Sequence, residues 1–306
     1  MIVSITGGSG FIGSHLVQRL INQGDHVRLL TRKKTLLQKN VKYYFGDLTD
    51  RDINLTDFLD GTDVVYHCAG EIIDESVMRK LHVDGTRRLV EESQKGGVSR
   101  WVQLSSIGAY GVCKSGVVSE SSPERPYGVY DLTKTESDEI IKSSDIPYVI
   151  LRPSTVFGST MRNQSLFQLV EMVRKGFFFY LGEVGALVNY VHVEDVVEAL
   201  VKCGNDDRAL GNIYMLSQTT EIEKLVSSVA SGLGIRREPL RFPEWLIRKL
   251  SKIFIKIPGF PLTNSRIEAL TGHCRYESEK IRVELDFKFM SPIESKFLQF
   301  ASGLNL

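Results

Sequence analysis

Tyr130 and Lys134 stand four apart in YGVYDLTKTESDEII (residues 127–141), a stretch whose periodicity predicts a helix. At that spacing a phenol and an ammonium share one helix face, about one turn apart. A free phenol titrates near pH 10, about three units too high for a base at neutral pH, and a neighbouring cation favours the phenolate. The pair thus has the makings of a proton-transfer device. A buried aromatic beside a surface lysine has the same two letters, so the rest of the chain must decide.

TGGSGFIG (6–13) offers a second chemistry. Gly7 permits a tight turn, Gly10 lets backbone approach a pyrophosphate, and Gly13 lets helix and strand pack closely. The helix that opens at Phe11 and Ile12 adds free N–H groups and a positive dipole end. A ligand-free glycine turn has the same letters, but the strand–loop–helix context favours a dinucleotide site. HVRLLTRKK (26–34) then ends with Thr31, Arg32, Lys33 and Lys34, where an NAD fold commonly has a carboxylate for the ribose 2′-hydroxyl. Arg32 is expected to fork onto a 2′-phosphate, with Lys33 adding charge, which favours NADP while leaving NAD open. A solvated basic turn is the plainer alternative. Asp47 in GDLTD (46–50), with Leu48 beside it, is placed to accept from an adenine amine. Ala69 and Gly70 in HCAG (67–70) are small enough to lie beside a cofactor. Packing explains each of these equally well.

Positioning such groups requires a scaffold, and the first half supplies one. MIVSIT (1–6), HVRLLT (26–31), VKYYFG (41–46), DVVYHC (63–68), RWVQLS (100–105) and PYVILR (147–152) read as strands buried on both faces. Helical segments at 11–24, 76–97 and 131–144 alternate with them, and Gly24 and Gly96 suit helix ends. Such alternation predicts an α/β fold with a doubly wound parallel sheet. Later, 189–203 reads as a strand running into a helix, 211–217 as a strand, and 219–234 with much of 243–256 as helical. The expected division is a dinucleotide-binding Rossmann domain of 1–155 plus about 189–217, and a smaller substrate-binding lobe of 156–188 plus 218–306.

Composition narrows the classes. With 306 residues, 42% hydrophobic, 25% charged and a net charge of +1, the chain is an ordinary globular protein without the field that nucleic acid would call for. Cys68, Cys113, Cys203 and Cys274 lie far apart without a C-x-x-C pair, which suits a reducing compartment. No histidine spacing suggests a metal. The opening MIVSITGG lacks the regions of a signal peptide and no apolar run reaches membrane-spanning length, so a cytoplasmic enzyme is expected.

TGGSGFIG, GDL, HCAG, HVDGT, LSSIGAYG, YDLTK, LRPSTVFG and NYVHVEDVVEAL, in that order over residues 1 to about 203, resemble the extended short-chain dehydrogenase/reductase family, also called the epimerase/dehydratase family. The resemblance implies that Tyr130 is the acid/base, that Lys134 lowers its pKa and touches the nicotinamide ribose, and that Ser106 polarises the substrate oxygen. Ser105 is the neighbouring, less apt serine. His82 stands where the family usually carries Asn, Thr155–Val156 lack an Asn common in nucleotide-sugar enzymes, and Val188 stands where an Arg often precedes NYVHVED. The reading that follows is an oxidoreductase moving hydride between NADP(H) and a carbinol or ketone carbon, with reduction of a 4-keto nucleotide sugar first. A nucleotide-sugar 4-epimerase with tightly bound NAD is the alternative, and a 3β-hydroxysteroid- or flavonoid-type enzyme a further one. A non-catalytic cofactor sensor would need none of Ser106, Tyr130 and Lys134. The helices holding Lys80–Gln94 and Tyr130–Ser143 pair across interfaces in related enzymes, which implies a homodimer.

One stretch falls outside this scheme. PEWLIRKLSKIFIKIPGF (243–260) sets Leu246, Leu250, Ile253, Phe254 and Ile257 on one helical face and Arg248, Lys249, Lys252 and Lys256 on the other. Such a helix can lie on an anionic membrane surface through 243–257, or pack on the lobe with a solvated basic face, which is the expected reading.

Overall fold

The computed structural model of the chain describes residues 1–34, 38–161, 164–254 and 264–304. Short branched and aliphatic runs form strands much where the sequence places them. The chain begins with β1 (Ile2–Thr6), α1 (Phe11–Gln23), β2 (His26–Thr31), β3 (Val41–Phe45), α2 (Thr56–Leu59) and β4 (Val64–His67). It continues through α3 (Glu75–Arg79), a π-helical turn at Lys80–Gly85, α4 (Thr86–Lys95), β5 (Arg100–Leu104), β6 (Ser115–Val118), α5 (Val129–Lys142) and β7 (Tyr148–Pro153). Then follow β8 (Thr155–Phe157), α6 (Ser165–Lys175), β9 (Phe179–Leu181), β10 (Leu187–His192), α7 (Val193–Asn205), β11 (Asn212–Leu216), β12 (Gln218–Glu221) and α8 (Ile222–Gly232). The last described elements are β13 (Leu240–Phe242), α9 (Glu244–Phe254), α10 (Asn264–Thr271), β14 (His273–Tyr276), α11 (Glu279–Glu284) and α12 (Ile293–Ser302).

Seven strands form one sheet in the order β3-β2-β1-β4-β5-β7-β11, with every neighbouring pair parallel. Strand order reverses beside β1, so the loops after β1 and β4 diverge and open a crevice at the carboxyl ends of the strands. Leu16 and Leu20 of α1 pack with Val196 and Leu200 of α7 on one face of the sheet. Phe58, Leu89 and Ile141 of α2, α4 and α5 pack with Trp101 and Ile150 on the other. The expected doubly wound sheet is therefore present.

The smaller lobe is built from β12-β10-β8 and the two-stranded pairs β13-β9 and β14-β6. Phe157, Val170, Leu225 and Phe297 form its own core. β10 joins this small sheet, while α7 packs on the large sheet and β11 pairs within it, so the segment 189–217 serves both layers.

Three local expectations change. The single helix read over 76–97 is broken by the π-helical turn, whose extra residue re-aims His82. Cys113 and Cys274 form a disulfide across 161 residues of chain, leaving only Cys68 and Cys203 as free thiols. Sequence spacing hides a pair that the pairing of β6 with β14 creates. Among the described side chains of α9 the buried one is Ile247, packed with Leu181 and Ile267, while Leu246 is half-buried. Ile257 and Lys256 lie outside the described residues, as do the side chains of Leu250, Lys252, Ile253 and Phe254.

Candidate active site

The glycine loop is shaped by backbone approach. Gly7 has φ +71°, and a Cβ there would lie 2.5 Å from the Ala69 nitrogen. A Cβ at Gly13 would overlap the Gly7 carbonyl, so the loop and the start of α1 close only with glycine at both positions. Gly10 donates its N–H to the Gly7 carbonyl (2.9 Å) and precedes Phe11 and Ile12 at the helix start. No side chain caps this end of α1 and its first turn carries no acid. The cradle left by three absent side chains therefore fits a dinucleotide pyrophosphate.

Around that cradle, β2 ends at Thr31 and delivers Arg32 and Lys33 to the crevice edge, both exposed. Arg32 is paired with Asp47, Nη1 to Oδ2 at 3.3 Å, and the other Asp47 oxygen accepts the Thr49 N–H at 2.9 Å. Burial opposes ionisation of Asp47, but the Thr49 and Arg32 contacts outweigh it and hold the carboxyl below its ordinary range. Two residues singled out separately for the cofactor thus hold each other. Leu48 is buried in the sheet core and Ala69 is buried behind the loop. Gly70 is exposed, with the His82 ring 3.7 Å from where its Cβ would be.

Helix α5 carries the catalytic candidates. Its buried stripe is Thr133, Lys134, Ser137, Asp138 and Ile141, four polar residues and one apolar. Each polar group has a partner. The Lys134 ammonium donates to the Leu104 carbonyl at 2.7 Å. Ser137 accepts from Gln103 Nε2 at 2.7 Å. Asp138 accepts from the Ser105 hydroxyl at 2.7 Å and from Arg152 Nη2 at 2.9 Å, with both charges fully buried. Glu124 takes another Arg152 nitrogen at 2.7 Å.

Tyr130 and Ser106 come together at the end of β5. Ser106 Oγ accepts the Gly108 N–H at 3.0 Å, and its hydroxyl lies close enough to the Tyr130 phenol to favour the phenolate slightly. A Cβ on Gly108 would meet the Asp131 carboxylate, which would have to turn away. Ser105, one residue earlier, is spent on Asp138, which separates the two candidate serines by role. Burial pushes the Tyr130 phenol up to about 12, with Asp131 and Asp138 adding and Ser106 opposing. The sequence expectation of a phenol lowered by Lys134 is not met in this structure. Lys134 is itself lowered by burial, against the pull of Asp138, and its ammonium points to a strand carbonyl.

His82 was legible only as a departure from the family pattern. It is buried, takes the Glu71 N–H on Nε2 at 2.9 Å, and meets the Thr133 hydroxyl through Nδ1 at 2.8 Å. The Thr133 hydroxyl donates to the Val129 carbonyl, so Nδ1 must carry the ring proton. Burial holds His82 down to about 3, so the ring is neutral, and it meets the Tyr130 ring edge-on at 5.7 Å between centroids. His67, unnoticed in sequence, is likewise held well below its ordinary value by burial and bridges Thr6 and Thr86 at 2.6 and 2.9 Å. Among the described residues, no group of three His, Cys, Asp or Glu side chains could hold a metal ion. No described helix is long and apolar enough to cross a membrane.

A nucleotide cradle and a Ser–Tyr–Lys set at the carboxyl edge of one parallel sheet define a dinucleotide-dependent enzyme. The model of the NAD dependent epimerase/dehydratase family matches residues 3–216, and the chain belongs to that family. It is an enzyme of the short-chain dehydrogenase/epimerase type. Over 98% of the chain and 94% of the relative it is 24% identical to a UDP-glucose 4-epimerase of Vibrio cholerae. A human sterol-4-alpha-carboxylate 3-dehydrogenase, decarboxylating, is 25% identical over 79% of the chain and 69% of its own length. The fold matches the crystal structure of a Thermotoga maritima UDP-glucose 4-epimerase with UDP-glucose (TM-score 0.75, 20% identity, 98% and 97% of the two chains). It also matches a Bacillus cereus UDP-glucuronic acid 4-epimerase in complex with NAD (TM-score 0.75, 19% identity, 99% and 97%).

Proposed function

We propose that the chain is an NADP(H)-dependent reductase of a ketone carbon, with a 4-keto nucleotide sugar as the first substrate class. The observation that carries this reading is the Tyr130 phenol, pushed up to about 12 by burial and set beside Ser106 at the end of β5. Reduction needs a proton delivered to the oxygen while hydride reaches the carbon, and a phenol that keeps its proton at neutral pH is an acid in waiting. The bound dinucleotide supplies the hydride. Ser106 polarises the substrate oxygen, Tyr130 gives it the proton, and Lys134, one turn on, serves the nicotinamide ribose. Gly7, Gly10, Phe11, Ile12 and Gly13 hold the pyrophosphate, with Leu48, Ala69 and Gly70 along the cofactor's flank. Arg32 and Lys33 draw the 2′-phosphate, which favours NADP because no carboxylate ends β2. Asp47 competes with that phosphate for Arg32, which moderates the preference. The split into a dinucleotide domain and a substrate lobe and a homodimer through α4 and α5 complete the proposal, while the Cys113–Cys274 bond counts against the reducing, cytoplasmic location that the cysteine spacing suggests.

The relatives named as acting on nucleotide sugars support the substrate class. A 4-epimerase that keeps NAD is the alternative within it. A hydroxysteroid-like substrate has its own supporting observation. Ile72, Ile73 and Tyr127, in the segments leading to His82 and Tyr130, are 51%, 74% and 78% exposed, apolar side chains close in sequence to the site. The test is to purify the protein, extract any dinucleotide, and follow NADPH oxidation with a 4-keto nucleotide sugar and with a 3-ketosteroid. Stoichiometric NADPH oxidation by the sugar supports the proposal. Tightly bound NAD⁺ with sugar turnover and no net absorbance change selects the epimerase, and oxidation with the steroid alone selects the third reading.

A further inference from the structure

The lobe carries a surface that the proposed chemistry does not use. Four large apolar residues stand exposed along the β9–β13 pair and the start of α9: Phe177, Val184, Leu240 and Trp245 are 70%, 69%, 67% and 62% exposed. β9 and β13 are paired, with Leu240 opposite Phe179 and Phe242 opposite Leu181. Phe177 lies just before β9 and Val184 just after it. Arg241 ties the turn after β9 down by donating to the Gly182 and Glu183 carbonyls at 3.2 and 2.9 Å. Trp245 follows β13 in the first turn of α9, whose Ile247 is tucked against Leu181 and Ile267. The helix is thus anchored by one side while its tryptophan stays in solvent.

Charge surrounds this apolar corner. Residues 236–249 hold five cations against two carboxylates in a chain of net charge +1. Arg236, Arg237 and Lys249 are exposed and form no ion pair with any described residue. Lys249 lies 5.3 Å over the Trp245 ring, and a Cβ on Gly176, beside Phe177, would be 2.8 Å from Arg237. Glu183 and Glu238 are the exposed acids in the same segments, and Glu244 is spent on Arg248. Cations ringing exposed aromatic and aliphatic side chains match a bilayer interface, where the apolar groups enter the headgroup boundary and the cations meet anionic lipid. A second copy of the same face would set cation against cation.

We propose that this corner of the lobe docks the enzyme peripherally on an anionic lipid surface, Trp245 and Phe177 inserting and Arg236, Arg237 and Lys249 contacting headgroups. The chain supplies its own reporter, because the other tryptophan, Trp101, is fully buried. The full-length protein is mixed with vesicles of phosphatidylcholine, alone or with phosphatidylglycerol, and followed by co-sedimentation and tryptophan emission. Binding to the anionic vesicles, a blue shift, quenching by lipids brominated on their acyl chains, and loss of all three with added salt are expected. Arg236→Glu with Arg237→Glu should weaken binding by roughly tenfold or more, given the usual pull of each basic residue at such a surface. Phe177→Ser should weaken it with the Trp245 reporter still in place, and both variants should bind dinucleotide as the parent does. The idea is overturned if the anionic vesicles leave the protein in the supernatant, if it sediments without quenching of Trp245, or if the emission shifts with protein concentration in the absence of lipid, which would assign the face to a protein contact.

Discussion

Helices α1 and α5 pack on opposite faces of the same sheet and bury stripes of opposite character. α1 turns inward Gly13, Leu16, Val17 and Leu20. α5 turns inward Thr133, Lys134, Ser137 and Asp138, with Ile141 at its end. For α1 the gain is apolar area removed from water, about 25 cal/mol per Å². For α5 each buried polar group repays its desolvation only through a specific partner: Leu104 O, Gln103, Ser105 and Arg152. A helix that stabilises the fold could be built either way. Only the second buries an ammonium and a carboxylate on the helix that carries the phenol, and that difference is what makes α5 the candidate for chemistry.

The contrast is most sharply broken by removing one charge from α5. Asp138→Ala would leave Arg152 buried with Glu124 as its remaining carboxylate, at an expected cost of about 3–5 kcal/mol in denaturant unfolding. Leu16→Ala in α1 should cost about 2–5 kcal/mol, while turnover per folded molecule stays near the parent's. If Asp138→Ala proves as stable as the parent, the α5 stripe is not the interlocked set described. Next in size is Tyr130→Phe, which should keep dinucleotide affinity and lower kcat by about 100-fold or more, measured by stopped assay on the reducible substrate. Equal turnover would strip α5 of its catalytic role.

Smaller effects fall at the edges. On the α1 side, Arg32→Ala should weaken NADPH roughly tenfold and NADH little, since the contact is exposed and shared with Asp47. Titration calorimetry with both cofactors at two salt concentrations checks this, and equal parent affinities would sink the NADP assignment. The gentlest probe is pH. His67 and His82, packed against α4 and α5, have folded pKa values below the unfolded 6.5, His82 at about 3. Below pH 6.5 the unfolded chain binds protons the fold refuses, so their stabilisation is complete above that pH and is lost as pH falls toward about 3. His82→Asn should flatten the decline of Tm over that window.

Much of the first layer of this structure could be read directly from the chain. β2 coincides with HVRLLT, the glycine loop and the Tyr130–Lys134 spacing lie where the sequence puts them, and the other strands of the first half end within one residue of their expected bounds. What escaped depends on partners far away in sequence. Asp138 stands eight residues after Tyr130 on the same face, a readable spacing, yet nothing local says that Arg152 neutralises it. The π-helical turn at His82 looks like plain helix in its letters. The phenol's direction of shift also reversed, because burial depends on what surrounds the helix and the sequence shows only the cation. In the lobe, three-residue strands such as β8 and β9 are too short for periodicity to register.

The disulfide between Cys113 and Cys274 has a topological consequence. It makes everything from Lys114 to His273 a covalent ring, which contains α5 and most of the lobe. A single peptide cut anywhere inside that ring opens it without releasing a fragment, so the nicked protein should run at full mass until a reductant is added. In the chain-entropy account, closing a ring of that size withholds about 5 kcal/mol of freedom from the unfolded chain. Reduced and oxidised preparations of the one sequence would then differ in their unfolded states more than in their folded ones.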